Sequence, residues 1–496
     1  MGLVMNETID LAVHANPYAI LSFVGYLIIL TLIGIFSAKF SSRGIGEFFL
    51  AGRKMNRFVV ALSAVVSGRS AWLLLGVTGM AYVRGLSALW ACAGYIVVEL
   101  LLFLFLAPRL RRQTEEMDAL TLPDYFETRF YDTSGLLRIV SVVIIFIFMI
   151  AYVAAQFKAG GKAFSSGFGL SELEGLLLTA GIVLVYTILG GFLAVSITDL
   201  VQAIFMIIAL VAVPVIAIVQ FGGWVPVASQ LGSSLPAALD PLALSFGVFL
   251  GFVGIGLGSP GNPHILVRYM SIQDPKQLKV SAVVGTVWNI IMAGGAVLIG
   301  VVGRVYFPTP DMLLNSDPEN LFPSLAHQLL SPFFFGLVVA AIFAAIMSTA
   351  DSQLLVASSS LVRDVYQKMW RKHVDLSQRY LVALSRILVL GLVLAAVLLA
   401  ILGADWIFWL VLFAWGGLGA SFGPTIILSL FWKRTTKWGV LAGLVSGTLI
   451  TIVWKSSATL SAHLYELVPA FTLSFVLTIA VSLATYRRSN SEISWK

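Results

Sequence analysis

The run Ala61-Leu-Ser-Ala-Val-Val-Ser-Gly-Arg-Ser-Ala-Trp-Leu-Leu-Leu-Gly76 places one arginine, Arg69, near the middle of a segment otherwise long and apolar enough to cross a bilayer. An arginine at the centre of a membrane helix costs about 2.5–3.5 kcal/mol on insertion scales, so it normally faces a partner or a watery cavity and marks a pathway. The chemistry on offer is recognition of ions and polar solutes. Ser67-Gly68-Arg69-Ser70 interrupts this span at its centre, and Gly254-Ile-Gly-Leu-Gly-Ser-Pro-Gly-Asn-Pro263 interrupts another over its inner half. Glycine and proline weaken a helix, and backbone freed at membrane depth is tolerated only where it is buried in protein or lines a cavity. Two interrupted spans, five spans apart in the chain, are the pattern of a transporter site built between inverted repeats. The competing reading is that small residues here only allow close helix packing.

Covalent chemistry lacks its parts. There is no His-Glu-x-x-His pair, no Walker loop and no nucleophile elbow. The five His are scattered, and His264, although close to the second interruption, has no partner at metal-ligand spacing. The single cysteine, Cys92, lies in an apolar span, which excludes an intrachain disulfide framework and a Cys-based metal site. No enzyme and no resident cofactor are expected.

The elements that must position these residues are helices. With 59% hydrophobic residues, 11% charged residues and a mean hydropathy of +0.96, the chain stands apart from soluble domains, in which roughly a quarter of residues are charged. Apolar stretches long enough to span a ~30 Å hydrocarbon core recur throughout, about thirteen in all. A leading one occupies 18–40, after polar sequence carrying Glu7 and Asp10 and without the features of a signal peptide. The others fall at 58–83, 87–107, 136–157, 174–189, 199–219, 241–265, 280–305, 332–357, 380–402, 404–431, 438–456 and 468–486. Most basic residues occupy alternate loops, among them Arg53/Lys54/Arg57, Arg109/Arg111/Arg112, Lys276/Lys279, Arg371/Lys372, Lys433/Arg434/Lys437 and Arg487/Arg488. The positive-inside rule then predicts an external N-terminus and a cytoplasmic C-terminus. This bias accounts for the net charge of +7; the partner it implies is anionic lipid, and no nucleic-acid patch is present. The longest polar connections are too short for a soluble domain, so residues 1–496 are read as one transmembrane unit.

At these residues the chain resembles the sodium/solute symporter family, closest to its bacterial sodium/proline branch. The resemblance runs over nearly the whole length. It is carried by Ala61-Leu-Ser-Ala, Trp72-Leu-Leu, Leu120-Thr-Leu-Pro-Asp-Tyr-Phe126, Gly190-Gly-Phe-Leu-Ala-Val-Ser-Ile-Thr-Asp199, Pro263-His-Ile-Leu266 and Met347-Ser-Thr-Ala-Asp-Ser-Gln-Leu-Leu355. It implies two inverted five-helix repeats like those of LeuT, at about 58–220 and 241–431, with a leading helix and trailing helices over 438–486. It also implies sodium-driven import of a small amino acid, with proline as the leading solute, at a plasma membrane and without an obligatory protein partner. Transporter-like domains of this family can precede signalling kinases; no kinase stands before Lys496, so a sensor would need a separate partner.

The resemblance implies a sodium cage of hydroxyls from Ser348 and Thr349, a carbonyl from Ala345 and carbonyls from Val66 and Arg69. The alternative is that Ser348 and Thr349 bond back to their own helix turn. Close relatives carry an aspartate where this chain has Gly68 and an uncharged residue at Arg69, while Asp351 stands where serine is common. Asp351 shares a helix face with Ser348, and with Asp199 and Ser352 it would form a second ion site or charge network. Three outcomes stay open: Arg69 pairs with Asp351 or Asp199 while sodium still binds, its guanidinium replaces the ion, or a buried carboxylate couples a proton. For the solute, carboxylate recognition is expected at N–H groups exposed by the breaks, around Ser67, Gly68 and Ser70, with Tyr152, Gln156, Ser259 and Pro263 as further contacts. Ile255 and Ser259 replace a Trp and a Tyr of the proline site, which leaves a betaine-like solute open. Lys158 is read as reaching outward from a helix end or compensating a carboxylate, Trp72 as packing beyond the first break, and Asp124 as the cap of a gate helix on an inner loop.

Overall fold

The computed structural model describes residues 16–41, 43–372, 374, 376–403 and 407–489. The Glu7/Asp10 stretch, the side chains of Arg487 and Arg488, the 404–406 start of the 404–431 span and the tail to Lys496 lie outside the described residues. The described chain is helical, and its only bridge of strand type joins Met55 to Ile272. Ten helical segments are long and apolar enough to cross a membrane. Two of them, Arg57–Glu116 and Glu172–Gln220, run to 60 and 49 residues, far beyond the ~20 that one crossing needs. Each contains a reversal at a glycine, Gly85 at φ 65° and Gly191 at φ 60°. The interrupted segment from Phe246 to Ser271 falls outside the ten. The expected spans and the observed helices thus differ where helix runs on through a turn or is broken within a crossing.

Burial sorts the bundle. Pro332–Trp370 and Ile407–Phe431 are each 83% buried over their most apolar stretch, against 33% for the leading helix and 28% for Leu467–Tyr486. The first two are therefore central, and the leading helix, Leu467–Tyr486 and Gln378–Leu402, also 33% buried, form the rim, where Phe36 and Leu402 stand exposed. The Arg57–Ala71 helix, capped by the Asn56 side chain accepting from the Phe58 and Val59 N–H groups, packs against Pro332–Ser359, Glu172–Gln220, Pro263–Ser271 and Leu278–Tyr306. Everything expected to carry chemistry converges around it.

Both breaks are present. In the first, Ser70 adopts φ 50°, ψ −173°, and the chain resumes as the wide turn Trp72–Val77. The second passes from Phe246–Gly254 through a 3-10 turn over Ile255–Gly261, then through extended Asn262 into Pro263–Ser271. Side chains satisfy the backbone groups so released, as the apolar surroundings require. The Gln156 Oε1 accepts the Ala71 N–H at 3.0 Å and the Ser70 Oγ accepts the Trp72 N–H at 3.1 Å. The Trp415 indole N–H donates to the Ile255 carbonyl and the Asn262 amide to the Gly258 carbonyl, both at 2.8 Å.

The Leu136–Phe168 helix runs eleven residues past the expected end at 157. Lys158 is therefore inside a helix, and its Nζ donates to the Gly403 carbonyl. Lys162, one turn on, holds Asp317 at 2.6 Å and Glu319 at 2.5 Å, and Glu319 in turn accepts the Phe408 N–H at 2.8 Å.

The second break lies against Leu89–Leu101 backbone to backbone, because a Cβ on Gly256 would collide with the Gly94 carbonyl. Gly256→Ala should therefore push the broken segment off its neighbour and cost about 1–3 kcal/mol, as overpacking does. Thermal unfolding of the purified protein should show a lower Tm, while Gly294→Ala, whose Cβ would meet nothing within 4 Å, should leave it unchanged.

Candidate functional site

The first break and the Pro332–Ser359 helix share an oxygen-rich junction. The Ser348 hydroxyl lies 3.1 Å from the Ala345 carbonyl and 3.5 Å from the Val66 carbonyl. The Thr349 hydroxyl donates to the Ser67 carbonyl at 2.9 Å. Val66, Ala345, Ser348 and Thr349 are thus brought together, and Ser67 supplies a carbonyl that the sequence reading did not assign to it. The Arg69 carbonyl instead accepts the Trp72 N–H. Carbonyl and hydroxyl oxygens from two helices are the donor type that hard cations take.

The Arg69 guanidinium points elsewhere, which corrects the expectation that it pairs with Asp351 or Asp199. It forms an ion pair with Glu99 of Leu89–Leu101, both side chains being almost fully buried. Its Nε donates to the Val65 carbonyl at 3.3 Å, and its carbon lies 3.7 Å from the centroid of the Tyr95 ring. Glu99 also accepts from Asn289 at 2.8 Å and from Ser259 at 3.4 Å. The reason is positional: Arg69 still belongs to the helical turn before the Ser70 break, with its Nε on the Val65 carbonyl, and lies two residues, about 200° round the helix, from Ser67, so its side chain points away from Pro332–Ser359 and meets Leu89–Leu101. Glu99 could have been found by the rule that picked out Arg69, since it too is a charge inside an apolar span.

Asp199 and Asp351 belong to a separate network in which Arg268, not Arg69, is the cation. Its guanidinium lies 3.3 Å from Asp199 and 3.0 Å from the Ser63 hydroxyl, and it also bonds Ser352. Ser63 and Ser67 donate to Asp199 at 2.6 and 3.3 Å, and Ser352 lies 3.2 Å from the Asp351 carboxylate. Ser67 therefore faces this network and not a solute cavity. Two carboxylates confront one guanidinium, and one oxygen of each, Asp199 Oδ1 and Asp351 Oδ2, has no hydrogen-bond partner.

A closed cavity of about 10 Å³ lies beside the first break, room for a single water at most. Of the expected solute residues, Gly68 and Tyr152 line it, together with Arg69. Ser70 and Gln156 are engaged with the broken backbone, Ser259 with Glu99, and Pro263 starts its helix. The remaining walls include Trp72, Tyr95 and Trp415, which sequence reasoning assigned no solute contact. Trp72 stacks on Phe408 and meets Tyr95 edge-on.

Access is asymmetric. A vestibule of about 390 Å³ opens on the face that carries Arg84 and Lys455. Ile255 and Leu412 line both this vestibule and the closed cavity, so these two side chains are the partition between them. On the opposite face Arg138 pairs with Asp124 at 2.8 Å and also with Glu127 and Asp364, while Arg363 lies 3.2 Å from Asp124. This latch ties the gate helix Leu122–Arg129 to the far end of the segment that bears Ser348. The cap of that helix is Thr121, whose hydroxyl accepts the Asp124 N–H at 3.1 Å; Asp124 sits in the first turn and carries the ion pairs. Burial raises the Asp124 pKa, but Arg363 and Arg138 outweigh it and hold the carboxyl below its ordinary value.

The family model described as "Sodium:solute symporter family" matches residues 48–447. The osmoregulated proline transporter OpuE of Bacillus subtilis is 40% identical over 465 residues, 93% of this chain and 94% of that protein. The sodium/proline symporter of Staphylococcus aureus is 39% identical, covering 98% of this chain and 95% of that protein. Among solved structures, a substrate-bound, outward-open Na+-coupled sialic acid symporter superposes with a TM-score of 0.80 at 18% identity, over 95% of this chain and 98% of its own. MhsT in complex with L-phenylalanine gives 0.56 at 15% identity, over 87% and 99%. The fold is LeuT-like.

A buried ion pair that loses one partner leaves an uncompensated charge, at a cost of about 3–5 kcal/mol. Glu99→Ala should therefore lower Tm sharply, and adding Arg69→Met should restore most of it. Equal Tm values for the single and double variants would break the assignment of Glu99 as the partner of Arg69.

Proposed function

The chain belongs to the sodium:solute symporter family, and from that premise we propose that it imports a small amino acid, proline, driven by sodium through alternating access. The family is one of multi-pass membrane transporters, not enzymes. Proline is supported by the names of relatives at 40% and 39% identity that span nearly the whole chain. The observation that carries sodium coupling is the Val66/Ser67/Ala345/Ser348/Thr349 junction, formed of neutral oxygens from the broken helix and its central neighbour. The Arg69 guanidinium is held against Glu99 and Tyr95, which supports coexistence with a cation at the junction and speaks against replacement of the ion.

The proposed topology follows the positive-inside reading. The Arg138 latch then faces the cytoplasm and the vestibule faces outside, with the cavity closed from both. The two breaks belong to equivalent helices of two inverted repeats, at about 58–220 and 241–431. The Asp199/Asp351/Arg268 network has one more carboxylate than cation, which supports a role in taking a second monovalent cation.

Proteoliposomes should accumulate labelled proline under an inward sodium gradient, and replacing sodium by choline at fixed pH should abolish the accumulation. Thr349→Ala should raise the sodium concentration for half-maximal uptake about tenfold or more, corresponding to the loss of one ligand worth some 1.4 kcal/mol. Undiminished uptake in choline would exclude sodium coupling.

A further inference from the structure

The N–H groups that the first break was expected to offer to a solute carboxylate are already engaged. Gln156 holds the Ala71 N–H and Ser70 holds the Trp72 N–H. A carboxylate entering the cavity therefore needs another donor, and one formal cation lines it, Arg69. The Nε and Nη2 of that guanidinium are bonded to Val65 and Glu99, which leaves Nη1. The group is also preset. Tyr95 lies against its plane, and Glu99 is itself fixed by Asn289 and Ser259. A guanidinium is planar and stays charged, so holding it by two of its nitrogens fixes where the third must point.

Resting on the reading of the chain as an amino-acid carrier, we propose that Arg69 is the carboxylate anchor of the solute site and Glu99 its positioning residue. Solutes of this site then carry one carboxylate and a compact apolar body that fits between Trp72, Tyr152 and Trp415. No second cation lines the cavity to take a second carboxylate. The approach is consistent in charge: Arg84 and Lys455 outnumber Glu466 along the vestibule, so a carboxylate meets favourable potential before it reaches Ile255 and Leu412. To admit it, the cavity must widen, because its present volume is about 10 Å³. Swinging the Ile255 and Leu412 side chains apart opens the cavity toward the vestibule while the Ile255–Gly261 backbone stays in place, so Ser259 remains on Glu99 and the Arg69–Glu99 pair is kept.

The test is a thermal-shift panel on the full-length protein in sodium. Proline, alanine and phenylalanine are each offered as free acid and as amide, to wild type, to Arg69→Lys and to the neutral double variant R69M/E99Q. A charge-assisted contact should make the wild-type affinity for the responding free acid at least about tenfold higher than for its amide. R69M/E99Q, which removes the anchor without stranding a charge, should compress that ratio to below about threefold. Arg69→Lys, which keeps a cation but loses the fork and the Glu99 geometry, should give an intermediate ratio and serves as the readout should the double variant not fold. A wild-type acid-to-amide ratio retained in R69M/E99Q, or in Arg69→Lys where that variant is the readout, would overturn the anchor. So would a wild-type panel in which no free acid outperforms its amide. A panel in which alanine or phenylalanine responds and proline does not would sink proline as the solute while still testing the anchor.

Discussion

Every backbone donor and acceptor released inside the bundle has to find a partner there, and this one constraint organises the structure. In hydrocarbon there is no water to take over. The first break is answered by Gln156 from Leu136–Phe168, the second by Trp415 from Ile407–Phe431 and by its own Asn262. Each inter-helix answer fixes the rotation and depth of the helix that supplies it. The breaks are therefore more than places where carbonyls are available for a cation. They dictate which helices surround the solute cavity, and so which side chains line it.

Charge obeys the same rule at higher stakes, since an unpaired buried ion costs more than an unpaired amide. Three local groups of buried charge matter for the pathway: Arg69 with Glu99, Arg268 with Asp199 and Asp351, and Arg138 with Asp124, Glu127 and Asp364. The first is balanced and sits at the cavity wall. The second has an excess carboxylate and sits beside the Ser348 face. The third seals one end of the molecule. Keeping the guanidinium of Arg69 in the first group is what leaves the oxygen junction around Ser348 free of a resident positive charge.

Much of this was legible in the sequence, and the failures share a cause. The spans were legible because hydrophobic length is a one-dimensional property, and the breaks because Ser70 and Gly254 to Pro263 stand out against apolar neighbours. The Ser348/Thr349 junction was reachable through the resemblance of Met347 to Leu355 to a known family. Pairing was not legible. Whether Arg69 meets Asp199, Asp351 or Glu99 depends on how the Arg57–Ala71 helix is rotated among its neighbours, which is a property of the packed bundle and not of the local sequence. Likewise Arg268 reads as an ordinary basic residue until the Pro263–Ser271 helix places it between Asp199 and Ser352. The end of Leu136–Phe168 was misjudged because Lys158 resembles a terminus on hydropathy alone, whereas Gly403, Asp317 and Glu319 supply polar partners for Lys158 and Lys162 along the continuing helix.

The two ends of the pathway are closed by unlike materials, and that difference says how the proposed cycle must be driven. Ile255 and Leu412 are the apolar side chains shared by the vestibule and the cavity, and what holds their segments together is uncharged: packing and the bond of the Trp415 indole to the Ile255 carbonyl. The opposite end is held by the pairs of Arg138 and Arg363, largely excluded from water, which cannot part until the charges are rehydrated or repaired. Opening outward is accordingly the easier fluctuation, and opening inward needs a source of free energy that favours the second state specifically. The Ser348/Thr349 junction is positioned to supply it. It joins the broken helix at Val66 and Ser67 to a helical segment whose far end carries Asp364, a latch residue. In the proposed cycle a cation bound there would act on the helix that bears one side of the latch, and one continuous, nearly fully buried segment connects the two.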